Sequence, residues 1–271
     1  MPFTRLIITF ALLVALVATK VHAMQPEVTT ELAVKGKLIL EDNGSQDRER
    51  GKAFPLNEYT AVRLGAGKWE RTGNDNNIWR STHSPAAGHV PVMAYQGFDE
   101  ENLIIEVTFR FGKNTEPWHH QCFRIAADRR PDITGHILSA WANVNNDFIE
   151  SGFLLQHIRK TPEKQIIQDL LLDYQNLRLA PKKWHTALLE IVGEEALFRV
   201  GNHVAYTKTK QITTSKTLVS LTMGSTWHEV KHVRIWRAEL NPKWESTKNN
   251  LLSKRRTFEA MEHHYKSPQS H

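Results

Sequence analysis

Trp118, His119 and His120 stand side by side, with Cys122 and Arg124 close behind, the densest run of side chains in the chain that could do chemistry. Imidazole exchanges protons near neutral pH, and a guanidinium steadies negative charge through a planar set of donors. On a strand from His119 to Ala127, Phe123 and Ile125 share a face with His119. His120, Cys122 and Arg124 then share the other, because side chains alternate along an extended chain. His136 and Trp141 lie on or beside the next expected strand, and Gln156 on the one after. If these strands line one sheet, His120, Arg124, His136 and Gln156 converge on a space the size of a sugar. Trp118 or Trp141 would offer an aromatic plane to the axial C–H groups of a pyranose. The alternative is a solvated polar face, which antiparallel sandwiches carry freely.

Other motifs carry less. His228-Glu229-Val230-Lys231-His232 spells His-Glu-x-x-His. That pattern holds zinc on a helix, where positions i and i+4 bring both imidazoles to one face. Here it runs into the alternating segment Val233-Arg234-Ile235-Trp236, so a chance match on a strand is the better reading. The pairs His119-His120 and His263-His264 diverge on any regular element. Asp128 and Asp132 follow the expected His119–Ala127 strand and suit either a turn or a calcium site. No metal ligands are assigned, and a divalent cation held between distant strands stays open as a cofactor. No Gly-x-Ser-x-Gly run is present, and the single cysteine, Cys122, fits a small buried side chain better than a nucleophile.

The elements that must position these residues read as strands. In Leu103–Phe111, Leu103, Ile105, Val107, Phe109 and Phe111 fall on one face, and Ile104, Glu106, Thr108 and Arg110 on the other. A first strand is expected over Lys35–Asp42, followed by loop through Pro55. Lys68–Arg71 and Ile78–Ser81 form an expected hairpin around the turn formers Gly73-Asn74-Asp75-Asn76. Further strands are expected at His136–Val144, Gly152–Arg159, His185–Val192, Leu197–Val200, His203–Tyr206, Thr217–Met223 and Val230–Leu240. Trp184 and Trp236 are expected in the core. Many short alternating segments divided by turns predict an all-β antiparallel sandwich. Gln165–Leu179, with Ile166, Ile167, Leu170, Leu171 and Tyr174, fits a helix nearly as well as a strand and stays open. From Ser246 onward, Leu251, Phe258, Met261 and Tyr265 recur near helical spacing and predict one amphipathic C-terminal helix, docked on the sandwich or offered to a partner.

Composition bounds the rest. The chain has 271 residues, 40% hydrophobic and 24% charged, as ordinary globular proteins do. Arg5, the apolar run Leu6–Val17 and the small residues of Val21-His22-Ala23 predict a cleaved secretory signal over 1–23. The sandwich is expected over 24–245, the helix and tail over 246–271. Export to the periplasm or the cell exterior follows, with no membrane span left after cleavage. The net charge of +6 falls to +4 once Arg5 and Lys20 are removed, and scattered charge on an exported chain argues against nucleic acid as a partner. The oligomeric state is not legible.

Several features follow one another in a familiar order. Trp69 and Trp79 sit on the hairpin, then come Thr108-Phe109-Arg110-Phe111, Gly135-His136-Ile137 and Gly152-Phe153-Leu154-Leu155-Gln156. Trp184-His185-Thr186, Glu190-Ile191-Val192-Gly193 and the closing strand to Trp236 complete the series. Over roughly residues 36 to 240 the chain resembles the secreted 3-keto-disaccharide hydrolase-like proteins, often labelled family 16 glycoside hydrolases, which have a concanavalin-like jelly roll related to laminin G-like domains. The resemblance implies a carbohydrate partner and cleavage at the glycosidic bond of a 3-keto sugar. His120 or His136 would act as base on the C–H beside the ketone, with Arg124 stabilising the enolate. Departures are plain. The family's Asn-Ser-Gly-Ile run is missing, and its Gly-Tyr-Glu-x-Gln-Ile-x-Asp pattern keeps Gln156 but has Leu154 and Arg159 in place of its acids. A Glu-x-Asp-x-x-Glu triplet, which a jelly-roll glucanase needs, is also absent. A non-catalytic glycan-binding or surface interaction module on the same fold is the alternative.

Overall fold

The computed structural model describes residues 28–73, 77–83, 90–112, 122–129, 135–146, 149–161, 166–176, 178–224, 226–253 and 255–266. Its strands are β1 (Ala33–Asp42), β2 (Ala53–Pro55), β3 (Ala61–Leu64), β4 (Lys68–Thr72), β5 (Ile78–Thr82), β6 (Val92–Glu100), β7 (Leu103–Phe111), β8 (Cys122–Asp128) and β9 (Gly135–Asn146). They continue as β10 (Ile149–Thr161), β11 (Ile166–Gln175), β12 (His185–Val192), β13 (Glu195–Val200), β14 (His203–Lys208), β15 (Lys216–Gly224), β16 (Trp227–Leu240) and β17 (Met261–Lys266), with one helix, α1 (Trp244–Leu252).

These strands form two antiparallel sheets, a jelly-roll sandwich. One runs β14-β13-β12-β7-β16-β5-β4, with β1 also paired to β16. The other runs β17-β11-β10-β9-β8-β15-β6-β3-β2 and contains the four-strand meander β8 to β11. The alternation of β7 does what its sequence predicts. Leu103, Ile105, Val107, Phe109 and Phe111 enter the main core between the sheets, while Ile104 joins a separate outer cluster with Ala33, Leu188, Trp236 and Ala238. Aromatic pairs join the two sheets, Phe109 stacked on Phe123 at 3.7 Å and Phe153 on Phe198 at 4.4 Å between centroids.

Several expectations are corrected. The segment left open between helix and strand contains the strand β11 over Ile166–Gln175, where Leu171 and Leu172 bury on opposite faces, which a strand permits and a one-sided helix does not. The stretch before Pro55 contains β2 at the sheet's end. β6 was not expected: its apolar alternation stops at Gly97, where φ is +100° and the strand is irregular. The C-terminal helix is real but ends at Leu252. Met261 and Tyr265 belong to β17, whose register on β11 runs from Ile166↔Lys266 to Leu171↔Met261. Trp236 is buried in the outer cluster, whereas Trp184 is half-buried against Arg110 rather than in the core. Among the described residues no helix is long and apolar enough to cross a membrane.

Candidate functional site

The outer face of the nine-stranded sheet gathers four of the six predicted site residues. Phe123, Ile125 and Ala127 of β8 point into the core, which leaves Arg124 and Asp128 on the outer face. Arg124 lies opposite Trp141 of β9 on one side and Thr222 of β15 on the other. Its guanidinium lies over the Trp141 ring, 4.8 Å from the centroid, and donates from Nε and Nη2 to the Thr222 hydroxyl at 3.2 and 2.8 Å. The Trp141 indole N–H donates to Gln156 Oε1 at 2.8 Å, which ties β9 to β10.

His136 completes the set. Its Nε2 is 3.1 Å from Arg124 Nη1, and its Nδ1 is 2.8 Å from Asp128 Oδ2. A guanidinium only donates, so Nε2 must accept, and the ring proton sits on Nδ1 and goes to the carboxylate. Asp128, 2% exposed, also accepts the Ile137 backbone N–H at 3.1 Å on its other oxygen. The chain of contacts therefore runs Asp128–His136–Arg124–Trp141–Gln156 across three strands. The ring face of Trp141 that meets Arg124 is not bare, so an incoming ligand meets the guanidinium edge as well as the indole. Small side chains lie between these groups: Ala126 opposite Ser139, and Ser139 opposite Gln156. Ser139 is fully buried and its hydroxyl has no hydrogen-bond partner.

Trp118 and His120, with His119 and Asp132, lie outside the described residues, so the structure brings together Arg124, His136, Trp141 and Gln156 alone. One member went unread in the sequence and another was not assigned to the site. Thr222 gives no signal, being one of three hydroxyls on its strand, with Thr217 and Ser220. Asp128, read from the sequence as a turn residue or calcium ligand, is the anchor of His136, and its position at the end of a strand facing Gly-His was the available clue. Among the described residues no group of three or more His, Cys, Asp or Glu side chains is placed to hold a metal.

The other sheet carries a second polar network, and it answers the zinc-like motif. His228, Glu229 and His232 lie on the strand β16. His228 is buried beside Phe111, and burial pushes its pKa down to about 3. Glu229 is buried and accepts from Arg80 at 2.6 Å and from Arg110. Burial alone would raise its carboxyl, but hydrogen bonds from the two arginines outweigh this and hold it below the ordinary value. His232 turns away to Glu41 at 2.7 Å. The register shift between Val230 and His232 leaves His228 on the inner face with Val230 and turns His232 to the outer face, so the two imidazoles do not converge. Arg110 lies between the rings of Trp184 and Trp227, and Arg80 over Trp227, so Glu229 is the counter-ion of an arginine–tryptophan stack.

Comparison with known proteins yields likeness of shape. No family model and no curated protein matches the chain. A Bacillus subtilis protein of unknown function with a galectin-like fold aligns at 10% identity and a TM-score of 0.45, over 78% of this chain and 100% of its own. The β-glucanase of Bacillus licheniformis aligns at 11% identity and 0.42, over 74% of this chain and 99% of its own. CG-16, a homodimeric agglutinin from chicken liver, aligns at 6% identity and 0.40, over 53% of this chain and 98% of its own.

Proposed function

We propose that the outer face of the nine-stranded sheet binds carbohydrate, with Arg124, His136, Trp141 and Gln156 as its contact set, in a protein exported by its N-terminal segment. One observation carries this reading: four side chains distant in sequence are joined into a single fixed array of indole, guanidinium, imidazole and amide. Such an array offers apolar surface and hydrogen bonds of both senses at set positions, which is what a polyhydroxylated ring selects. The test is retention of the purified protein on gels containing polysaccharides such as cellulose, laminarin, xylan and chitin derivatives. The wild type is retarded by at least one, and Arg124→Ala and Gln156→Ala run free. No retardation on any of them, or equal retardation of both variants, overturns the proposal.

A second reading is cleavage of a 3-keto-disaccharide on the same face, and the Asp128–His136 pair favours it. An Asp that fixes the Nδ1 proton leaves Nε2 as the basic atom. Arg124 occupies that lone pair, so proton removal requires the guanidinium to leave His136. The ketone oxygen would draw it, because charge develops there as the C–H proton passes to Nε2. Elimination then expels the glycosidic oxygen, and water adds to the resulting enone. Release of free sugar that His136→Ala and Arg124→Ala both abolish, measured with and without chelator, supports this reading. Unchanged turnover in His136→Ala removes it.

A further inference from the structure

A row of alternating charge crosses the outer face of the eight-stranded sheet. Glu229 of β16 lies opposite Arg110 of β7 on one side and Arg80 of β5 on the other, and Arg80 lies opposite Glu70 of β4. Glu229 Oε1 accepts from Arg80 Nε and Nη2 at 3.0 and 2.6 Å and from the Thr72 hydroxyl at 3.3 Å, while Oε2 accepts from Arg110 Nε. The remaining Arg80 nitrogen, Nη1, is 3.9 Å from the exposed Glu70. Arg80 therefore has an acid on either side.

Arg110, at the β7 end of the row, has only a share of one. Its Nε is engaged by Glu229, and among the described residues neither its Nη1 nor its Nη2 meets an acceptor. The side chain is 30% exposed. Lys182 and Lys183, both exposed, belong to a turn fixed beside it, where the Lys182 backbone N–H donates to the Phe111 carbonyl at 2.8 Å. Lys182 adopts a φ of +63° to make that contact, a conformation that side chains other than glycine's disfavour. Glu70 lies three strand spacings away, roughly 14 Å. Positive charge therefore collects at the β7 end.

Two indoles hold the Arg110 guanidinium in place, its carbon 4.6 Å from the Trp184 ring centroid and 6.0 Å from that of Trp227. Trp227 reaches over from β16 because Gly112 leaves room: a Cβ there would fall 2.6 Å from the indole Nε1. With Nε fixed by a buried carboxylate and the plane fixed by aromatic rings, the Nη edge is pre-organised and loses little freedom when it binds. Its natural partner is a carboxylate, whose two oxygens meet Nη1 and Nη2 side by side. A tetrahedral sulfate or phosphate would press an oxygen against the negative face of an indole.

From this geometry we infer that Arg110, with Trp184 and Trp227, is a second binding site, one that takes the carboxylate of an acidic sugar on the sheet opposite the Arg124–Trp141 array. The carboxylate pairs end-on with Nη1 and Nη2, the sugar ring that carries it lies against the exposed part of Trp184, and Lys182 and Lys183 draw the anion in. The site stands on its own residues and does not depend on what the other sheet binds.

The test titrates the full chain at low salt with trigalacturonate, its methyl triester and inorganic sulfate, read by calorimetry and by tryptophan fluorescence. Trigalacturonate is expected to bind and to change the indole emission, while the ester and sulfate bind at least about tenfold more weakly. Arg110→Gln should weaken the trimer about tenfold. Lys52→Gln removes the same charge from a 72% exposed side chain beside β2, on the other sheet, and should keep the wild-type affinity. Arg110→Gln also strips a partner from buried Glu229, so Trp184→Ala, which leaves that ion pair in place, gives a second reading and should weaken the trimer as well; melting curves confirm that both variants fold. No binding of the trimer, equal binding of the ester or of sulfate, or wild-type affinity in folded Arg110→Gln or Trp184→Ala overturns the inference. An equal loss in Lys52→Gln also overturns it, because the binding would then follow net charge alone.

Discussion

At the scale of single residues, the candidate site depends on Asp128, which touches no ligand position itself. Its two oxygens are committed, one to the His136 ring and one to the Ile137 backbone N–H. Asp128→Asn keeps one acceptor and turns a donor on the other partner, leaving a buried N–H unsatisfied. A loss of about 1–3 kcal/mol follows from such an orphaned group. The expected outcome is a lower melting temperature together with loss of glycan retention. Nitrogen NMR of the imidazole should show Nδ1–H in the wild type and a mixed tautomer in the variant. A single unchanged Nδ1–H tautomer would mean that Arg124 alone orients the ring. Sequence leaves Asp128 undecided between turn and cation ligand because its partner lies eight residues away on the next strand. By contrast, Arg124, Trp141 and Gln156 were legible, since strand alternation assigns each a face once the core side is known.

At the scale of elements, the strands with one clean apolar face were the legible ones. β7 and β12 alternate without interruption, and their neighbours bury what the pattern says they should. β6 escaped because Gly97 breaks its rhythm, and β11 stayed open because both of its faces bury leucine. The tail misled for a different reason. Leu251, Phe258, Met261 and Tyr265 imitate helical spacing, but the paired backbone of β11 offers β17 a ladder that a free helix would not gain. The helix that does form, α1, is held by its first residue. Trp244 is fully buried with Leu32 and Leu197, its N–H donates to Glu195 Oε1 at 3.3 Å, and Lys248 and Tyr206 meet the same oxygen. Burial would raise the Glu195 carboxyl, but hydrogen bonds from Lys248, Tyr206 and Trp244 outweigh it and bring it below its ordinary value. Trp244→Ala should cost about 3–5 kcal/mol by emptying a large core site, read from chemical denaturation. Trp244→Phe, which keeps much of the volume and loses the hydrogen bond, should cost less than half of that.

For the whole molecule, buried bases far from the site shape the dependence of stability on pH. His228 has an ordinary pKa of 6.5 and a folded value of about 3, set by burial. The unfolded chain therefore binds more protons between those values, so stability is fully present above pH 6.5 and is lost as pH falls toward 3. Lys216 behaves alike at the alkaline end. It is buried, with its ammonium donating to the Glu101 and Ile212 carbonyls at 2.6 Å each, and burial lowers its pKa from 10.5 to about 8. The folded state holds the charged form at a cost below pH 8, and stability rises as pH climbs from 8 toward 10.5. Tyr206 opposes this above pH 10, since burial, with a hydrogen bond to Glu195, raises its pKa to about 12. Burial raises Tyr95 as well, reinforced by Asp42, so both folded tyrosines hold protons that the unfolded chain releases. Melting temperatures across pH 4 to 11 should therefore climb steeply to about 6.5, climb again from 8, and turn over near 10, each fully expressed group contributing at most about 1.4 kcal/mol per pH unit. His228→Leu should flatten the acid limb, because the ring sits among apolar neighbours and its Nδ1 lacks a partner. Lys216→Met should flatten the limb between 8 and 10 while leaving the acid limb intact. If both variants kept the wild-type profile, the carboxylates bound to arginine, Glu229 above all, would have to supply the acid limb, and Arg110→Gln would be the variant that moves it.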